Sequence, residues 1–406
     1  MPTRPNAPSA LLTASRRRRL GAVSVVAGAA LALAACSSST SSGSASAASR
    51  SSSASSSPAS STGSSSTPSL SSLETPPTAT VALSETGSTL LYPLFQKWAP
   101  AYTQLHANIS VTPAGTGSGT GISQASTGAV DIGASDAYLS SAQTSSTPSL
   151  ENIPLAISAQ MINFNIPGFS GTLKLNGKIL SAIYQGQITN WNDAKIAAAN
   201  PGVALPNLKI VALHRSDGSG DTFIFTQYLS KQDPNGWGAK ISYGTSVSFP
   251  GIPNALGENG NGGMVSGCKA TPGCVAYIGI SYQSQTQAGH LGQAELQNGS
   301  GNYVPLNAQT IAAEASSFAA STPASGAISL VDGTGAPQGY PIINYEYAIV
   351  NAQQSSATKA QAIKALLAWA MDPSGGSAPS FLDAVNFQPL PASAVAVSEK
   401  LLSKIQ

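Results

Sequence analysis

Residues 214–221 carry the side chains of this sequence that are best suited to bind an anion. The segment reads HRSDGSGD. Arg215 brings a planar guanidinium whose donors match a tetrahedral oxyanion, and Asp217 is close enough in sequence to orient it by an ion pair. The same segment is also typical of a loop that caps a helix and carries a solvated Arg-Asp pair. The rest of the chain has to distinguish these two interpretations.

The elements on either side predict how this segment is held. The apolar residues 209–213 favour a strand that leads into it, and the spacing of Phe223, Tyr228 and Leu229 favours a helix that leaves it. The first N–H groups of a helix have no partner within the helix and attract negative charge. A glycine at position 220 allows the backbone to approach a ligand closely.

An earlier loop has the same organisation. Residues 80–84 are predicted as a strand and residues 85–89 as a turn, with Ser88 or Thr89 as the N-cap of the helix that follows. The buried face of that helix is expected to carry Leu90, Leu94, Phe95, Trp98 and Tyr102. Pro93 fits this start, because proline is tolerated in the first helical turn.

Two further strands end in loops of small residues. Residues 109–112 lead into the segment GTGSGTG at 115–121 and then a helix, and residues 130–134 lead to Ser135 and Asp136. The glycine segment is neither a Walker A loop nor a dinucleotide fingerprint. Alternating strands and helices indicate an α/β fold, in which ligands bind beyond the carboxyl ends of the strands. These loops can therefore converge on one anion.

The N-terminus has the pattern of a bacterial lipoprotein signal. Residues 16–19 are arginines, and the uncharged run at 20–35 is short for a membrane span. Small residues then stand directly before Cys36, as in a lipobox. Residues 1–35 are therefore predicted to be removed and Cys36 to carry lipid such as palmitate. An unmodified secretory peptide is the alternative.

Residues 36–75 follow as a predicted flexible tether. Residues 37–72 consist almost entirely of Ser, Ala, Thr, Gly and Pro, with Arg50 as the only charged residue. A segment of this composition buries too little apolar surface to offset the entropy lost on folding. A glycosylated stalk is the other interpretation. The predicted location is the outer face of the bacterial cell membrane.

Charge and cysteine content narrow the class of protein. The chain has 19 Lys and Arg against 17 Asp and Glu, and removal of the five arginines in the signal leaves 14 against 17. Net negative charge argues against nucleic acid as a partner. Besides Cys36, Cys268 and Cys274 remain, and they are expected to form a disulfide. With three histidines in the chain, neither a metal site nor a cofactor is expected.

Six segments in this order and spacing carry a resemblance: ETGSTLLYPLFQKW, GTGSGTG, DIGASDAYLS, QGQITNWND, HRSDGSGDTFIFTQYL and PGCVAYIGISY. They resemble the phosphate-binding lipoproteins of Pst-type ABC importers, in particular the mycobacterial or actinobacterial form, from about residue 78 to the C-terminus. The resemblance implies a type II periplasmic-binding-protein fold whose two lobes close on one inorganic phosphate. It also implies delivery of that phosphate to the permease subunits of an ABC transporter, without catalysis. We expect a monomer.

Position by position, the resemblance also implies a set of ligand groups. They are Thr89, the backbone N–H of Leu90, Ser118, Asp136, Arg215, Ser219, and the backbone N–H groups of Gly220 and Asp221. A carboxylate at 136 can accept the hydroxyl of phosphate, whereas sulfate would leave that buried acceptor unpaired. The alternative for Asp136 is a helix cap after Ser135.

Asp221 departs from the family pattern, because many members have threonine there. Its carboxylate is expected either to face the ligand together with Asp136 or to cap the helix at Thr222 and Phe223. In the first case a phosphate dianion has too few protons for both carboxylates. Binding should then weaken as the pH rises.

Two apolar stretches, residues 156–164 and 340–347, are the expected crossings between the lobes. Lobe one is then residues 76–160 plus 341–406, and lobe two is residues 161–340. No role is predicted for the loop at 251–263, which is rich in Gly, Asn and Pro.

Two other classes of function compete with binding and transport. A phosphate-ester hydrolase needs a nucleophile with a base or metal ligands, yet the sequence has no G-x-S-x-G elbow, and His214 is the only histidine next to the predicted anion loop. A surface adhesin or interaction lipoprotein is compatible with a tether and a lipid. Protection by inorganic phosphate against thermal unfolding would distinguish these classes.

Overall fold

The computed structural model describes residues 69–406. The predicted signal peptide, Cys36 and most of the predicted tether lie outside the described residues. The end of that tether is ordered: helix α1 spans Leu70–Leu73, and the N–H of Leu70 donates to Glu399 Oε1 at 2.9 Å. Across residues 69–406, no helix is both long and apolar enough to cross a membrane.

Twelve strands are formed by the described residues. They are β1 (Val81–Gly87), β2 (Ile109–Gly115), β3 (Ile132–Ser135), β4 (Leu150–Phe164), β5 (Lys174–Leu175), β6 (Val211–Arg215), β7 (Leu256–Glu258), β8 (Cys274–Gly279), β9 (Gly292–Gln293), β10 (Glu295–Gln297), β11 (Tyr303–Val304) and β12 (Ile343–Asn351).

Helices alternate with these strands along most of the chain. After α1 they are α2 (Tyr92–Leu105), α3 (Ser118–Thr127), α4 (Ser141–Ser146), α5 (Gly177–Tyr184), α6 (Ala194–Ala199), α7 (Gly220–Gln232), α8 (Gly260–Ala270), α9 (Gln283–Ala288), α10 (Ala308–Phe318), α11 (Ala357–Met371), α12 (Pro379–Leu382) and α13 (Ala392–Leu402). The predicted α/β class is confirmed by this alternation.

One nine-stranded sheet organises the chain. Its order is β2-β1-β3-β12-β4-β8-β6-β7, with β9 paired to β4. β1 is parallel to both β2 and β3, and β6 is parallel to both β7 and β8. A separate sheet has the order β11-β10-β5.

Strand β4 joins the two halves of the large sheet. Its residues 150–159 pair antiparallel with β12, and its residues 160–164 pair antiparallel with β8. The strand is almost entirely buried, which accounts for its mostly apolar sequence. β4 contains the stretch 156–164 predicted as a crossing, and β12 contains residues 343–347 of the stretch 340–347. The lobe boundaries near residues 160 and 341 stay a prediction.

Three predicted element boundaries are wrong, because strand pairing and helix packing extend further than local propensity indicates. β1 continues through residues 85–87, predicted as a turn, since Glu85 pairs with Pro113 on one side and Ile132 on the other. Arg215 is the last residue of β6 instead of a loop residue. Helix α3 begins at Ser118, four residues earlier than predicted.

The start of α2 also differs from the prediction. The helix begins at Tyr92 with Leu91 as its N-cap. Ser88 nevertheless satisfies the turn before it, because its hydroxyl oxygen accepts the N–H groups of Leu90 and Leu91 at 3.0 and 2.9 Å. In the other half of the sheet, Cys268 and Cys274 form the expected disulfide between α8 and β8.

Helix α3 lies so close to the sheet that only glycine fits at the contact. A Cβ on Gly121 would stand 2.6 Å from the carbonyl oxygen of Ala134 and 2.7 Å from that of Thr86. This approach brings Ser118, the first residue of α3, to the end of β3. There its Oγ accepts the backbone N–H of Asp136 at 3.2 Å.

We predict that Gly121→Ala lowers the free energy of unfolding by about 1–3 kcal/mol, because the added methyl group overpacks a backbone contact. Urea unfolding measures the change. Gly251→Ala is the matched control, since no atom lies within 4 Å of the added Cβ there. Equal loss in the two variants would contradict the close packing of α3.

Candidate anion-binding site

The predicted loop residues meet where β1, β3 and β6 end. Thr89 follows β1, Asp136 follows β3, Arg215 closes β6, and Ser219 is the N-cap of α7. All four are buried. Gly220, directly after Ser219, lies against Asp136 and Ser118, because a Cβ there would be 2.4 Å from Asp136 Oδ2 and 2.6 Å from the hydroxyl oxygen of Ser118.

The guanidinium of Arg215 is held by two carboxylates. Its Nε donates to Asp217 Oδ1 at 2.7 Å, and its Nη2 donates to the other oxygen of the same residue. Its Nη1 donates to Asp221 Oδ2 at 2.7 Å. The side chain is 1% exposed. Asp217 therefore stands where an orienting role requires it.

The carboxylate of Asp221 lies inside the site and does not cap α7. Besides Arg215, it accepts Asn261 Nδ2 at 2.7 Å and Gln160 Nε2 at 3.2 Å. The capping position is already filled, because the Oγ of Ser219 accepts the N–H of Thr222 at 3.2 Å. The geometry argues against the capping interpretation of Asp221, and the interpretation that its carboxylate faces the ligand stays a prediction.

The start of α7 offers two backbone donors to a ligand. In residues 69–406, the N–H groups of Gly220 and Asp221 have no hydrogen-bond acceptor. They are the first N–H groups of a helix of 13 residues, where the helix dipole favours negative charge. A substituent on Gly220 would collide with Asp136, so glycine is required for this approach.

Asp136 is the second carboxylate of the site. Its Oδ1 accepts the hydroxyl of Ser88, and its Oδ2 accepts that of Ser118 at 3.4 Å. Burial raises the pKa of Asp136 to about 7, and the nearby charge of Asp221 adds to that rise. The group is therefore able to hold or release a proton near neutral pH. Its side chain bonds Ser88 and Ser118 and caps no helix, so the alternative of a helix cap is not supported.

Two predicted ligand groups already have partners within the protein. Thr89 Oγ1 accepts the backbone N–H and the side-chain Nδ2 of Asn261 at 3.2 and 3.0 Å, which leaves its own hydroxyl proton available. The N–H of Leu90 donates to Ser88 Oγ at 3.0 Å. Leu90 therefore differs from the prediction, because its N–H completes the turn before α2.

Sequence reasoning missed Asn261 and Gln160. Asn261 lies in the loop for which no role was predicted, and it links Thr89 to Asp221 from the start of α8. Its Oδ1 also accepts the N–H of Gly279 at 2.7 Å. Gln160 lies in β4 and donates to both the backbone oxygen and the side chain of Asp221. A long polar side chain within a mostly apolar strand pattern was the available signal for Gln160.

His214 is not placed to serve as a base for Ser219. Its ring stacks on Phe249 with centroids 4.6 Å apart, and its Nδ1–H donates to the backbone oxygen of Arg215 at 3.1 Å. The described residues also contain no cluster of three His, Cys, Asp or Glu side chains that could hold a metal ion.

Carboxylates outnumber the cation in this site. Three of them, Asp136, Asp217 and Asp221, face the single positive charge of Arg215. Asp217 stays ionised, because its pairing with Arg215 outweighs its burial and lowers its pKa below the usual value. Burial raises the pKa of Asp221, although Arg215 opposes that rise. An anionic ligand is then accommodated most favourably when a proton remains on the ligand or on a carboxyl group.

We predict that the Asp136 carboxyl titrates near pH 7 in the ligand-free protein and that Asp221→Thr moves the midpoint down. Removal of the like charge, together with release of Arg215 from its partner, favours ionised Asp136. Carbon NMR of the labelled carboxyl group measures both midpoints. Asp193→Asn, which changes a helix cap outside this site, is the control. An unchanged midpoint in Asp221→Thr would contradict the coupling.

Comparison with known proteins identifies the family. A model described as a PBP superfamily domain matches residues 32–374. The phosphate-binding protein PstS of Xylella fastidiosa is 33% identical over 303 residues, which are 73% of this chain and 80% of that protein. The phosphate-binding protein PstS3 of Mycobacterium bovis is 30% identical over 296 residues, or 70% and 77% of the two chains.

Solved structures show the same fold. One is a high affinity periplasmic phosphate-binding protein, PfluDING, bound with phosphate; its TM-score is 0.60 at 20% identity, over 78% of this chain and 92% of that one. The periplasmic-binding-protein fold expected from the sequence is thereby confirmed. The chain belongs to the PBP superfamily and, within it, to the family of the PstS proteins.

Proposed function

We propose that this protein binds inorganic phosphate outside the cytoplasm and delivers it to the permease of an ABC importer. The family members above are named as phosphate-binding proteins. In this chain the proposal rests on one arrangement. Arg215 and the two unpaired N–H groups of α7 lie in the same site as the buried carboxyl group of Asp136. Donors for an oxyanion and an acceptor for its proton occur together.

This combination favours phosphate over sulfate. A phosphate monoanion or dianion keeps at least one hydroxyl that Asp136 can accept, whereas sulfate at neutral pH has none. A buried acceptor left without a donor costs about 1–3 kcal/mol, and more when it is charged. Repulsion between the ionised carboxylate of Asp136 and the unprotonated sulfate adds to that cost.

The ligand groups we assign to this chain follow from the same contacts. Hydroxyl groups come from Thr89, Ser118 and Ser219, and the guanidinium comes from Arg215. The N–H groups of Gly220 and Asp221 complete the donors, and Asp136 is the acceptor. Because Arg215 is already neutralised by two carboxylates, most of the attraction comes from neutral dipoles.

The family consists of binding proteins, and we propose that this chain likewise performs no catalysis. The position of His214, stacked on Phe249, supports this, since His214 is not placed to activate Ser219 as a base. We further propose that the protein acts as a monomer.

We predict that Arg215→Ala weakens phosphate binding by about 2–5 kcal/mol, because it removes the cation that pairs with Asp217 and Asp221 in residues 69–406 and leaves both carboxylates without it. Isothermal calorimetry with phosphate and sulfate measures this loss. Arg215→Lys is expected to be impaired as well, since a point charge cannot reproduce the planar fork.

The control for this experiment is Lys404→Ala, which removes a positive charge whose Nζ pairs with Glu151 at the surface. It should bind phosphate as the wild type does. Failure of the wild-type protein to bind phosphate or any other protonated oxyanion would contradict the proposed function. Undiminished binding by a folded Arg215→Ala variant would sink the assignment of the site.

We also propose that lipid on Cys36 anchors the mature protein to the outer face of the cell membrane through the Ser-rich tether. Cys36→Ala should move the protein from the membrane fraction to the soluble fraction, because the predicted tether has no apolar segment to retain it. Fractionation followed by detection of the protein tests this. A variant with a processed N-terminus that still sediments with membranes would rule out the anchor.

A further inference from the structure

A buried carboxyl group that is not among the proposed ligand groups lies next to the candidate site. Glu346 lies in β12 and is 0% exposed. No lysine, arginine or histidine forms an ion pair with it in residues 69–406. A carboxylate buried without a cation is costly, so such a group is expected either to keep its proton or to have a role that offsets the cost.

The strand register places Glu346 next to Asp136. β12 is antiparallel to β3, with Tyr347 opposite Ser135, so the preceding residue of β12 stands beside the residue that follows Ser135. The pairing of β12 with β4 shifts between Glu346 and Tyr347. A β-bulge of this kind changes the direction of a side chain, and here it occurs at Glu346, next to the site.

The two oxygens of Glu346 have different surroundings. Oε1 accepts the hydroxyl of Ser158 at 2.5 Å and the Nδ2 of Asn344 at 3.1 Å. Oε2 is buried and meets no N–H or hydroxyl donor of the described residues. The register places Asp136 beside Glu346, and the two carboxyl groups act on each other: Glu346 lowers the pKa of Asp136, and Asp136 raises that of Glu346.

Two carboxyl groups can be hydrogen-bonded to each other only if one of them keeps a proton. Asp136 has hydroxyl donors for its charged form, from Ser88 and Ser118. The Oε2 of Glu346 has no such donor among the described residues. Burial, followed by the charge of Asp136, raises the pKa of Glu346 well above its usual value. The proton therefore belongs on Glu346, which donates it to Asp136.

The remaining charges around the pair act on Asp136 from α7 and β6. Asp221 raises the pKa of Asp136, and Arg215 lowers it. Tyr347 is the other titratable group that interacts with Glu346, and its own pKa is raised well above the usual value by burial, so it stays neutral. Glu346 is thus a neutral donor that lies next to Asp136 on strand β12.

We propose that Glu346 is a positioning residue for ligand selection: its protonated carboxyl donates to Asp136 and keeps Asp136 charged as the acceptor for the hydroxyl of the bound oxyanion. This inference rests on the proposed function. Without the donor, Asp136 would keep its own proton to a higher pH. A protonated Asp136 offers a donor where phosphate also offers one, and it ceases to reject an oxyanion that has no proton.

Two variants separate this role from packing. In Glu346→Gln the side-chain amide donates to Asp136 at every pH, and its oxygen can still accept Ser158 and Asn344. In Glu346→Leu the volume is nearly kept and the donor is lost. Affinity for phosphate and for sulfate is measured by calorimetry between about pH 5 and 8 for both variants and the wild type.

Phosphate affinity should fall at acid pH as Asp136 takes up a proton, and we expect Glu346→Gln to keep this acid limb of the pH profile where the wild type has it. In Glu346→Leu that limb should move up by about one pH unit, with about a tenfold loss of affinity at pH 7, the effect of one charge-assisted hydrogen bond. The ratio of phosphate to sulfate affinity should fall in the leucine variant alone. Coincident profiles for the leucine variant and wild type would overturn the proposal, as would a glutamine variant that behaves like the leucine variant.

An infrared difference spectrum gives a second readout that does not require the leucine variant to fold. The wild-type spectrum minus that of Glu346→Gln at pH 7 should contain the carbonyl band of a protonated carboxylic acid. Its absence would overturn the proposal. Wild-type protein that fails to bind phosphate while showing this band would instead refute the proposed function and leave the proton on Glu346 in place.

Discussion

The site depends on one buried arginine that is shared by two carboxylates. Arg215 is fixed by Asp217 through two hydrogen bonds and by Asp221 through a third, so its guanidinium has little freedom and little net charge to offer. An ion pair of this kind orients a group more than it attracts a ligand. The donors that remain for an anion are dipoles, namely hydroxyl groups and the first N–H groups of α7. Selectivity between oxyanions then depends on whether the ligand has a proton to donate to Asp136.

The sheet supplies the geometry that this constraint needs. Parallel strands β1 and β3 end side by side, and the close approach of α3 at Gly121 brings Ser118 to Asp136. Strand β6 ends at Arg215, and the short loop after it turns Gly220 against Asp136. Asn261 then ties Thr89 to Asp221 across the site. These contacts connect residues at the ends of strands with residues at the starts of helices. Small changes in backbone packing are therefore expected to change the geometry of the ligand groups.

Much of this arrangement could be predicted from local sequence, because strand-loop-helix patterns and helix starts are local properties. The helix with Phe223, Tyr228 and Leu229 on its buried face is present, and so is the α/β alternation. Boundaries failed where pairing partners on both sides extended a strand, as at Glu85. The supporting residues were missed because their contacts are distant in sequence: Asn261 lies 40 residues from Asp221, and Glu346 lies 188 residues from Ser158. Nothing in the residues adjacent to Glu346 indicates the carboxyl group that it meets.

The central claim is that three carboxylates and one arginine can hold phosphate only with an additional proton. Calorimetric titration of phosphate at about pH 8, repeated in buffers with different ionisation enthalpies, counts the protons taken up on binding. We predict an uptake of close to one proton from the buffer per phosphate bound, with the proton going to Asp221 or to the ligand itself. Zero uptake with tight binding at that pH would mean that the buried charges are balanced in another way, and it would contradict the account.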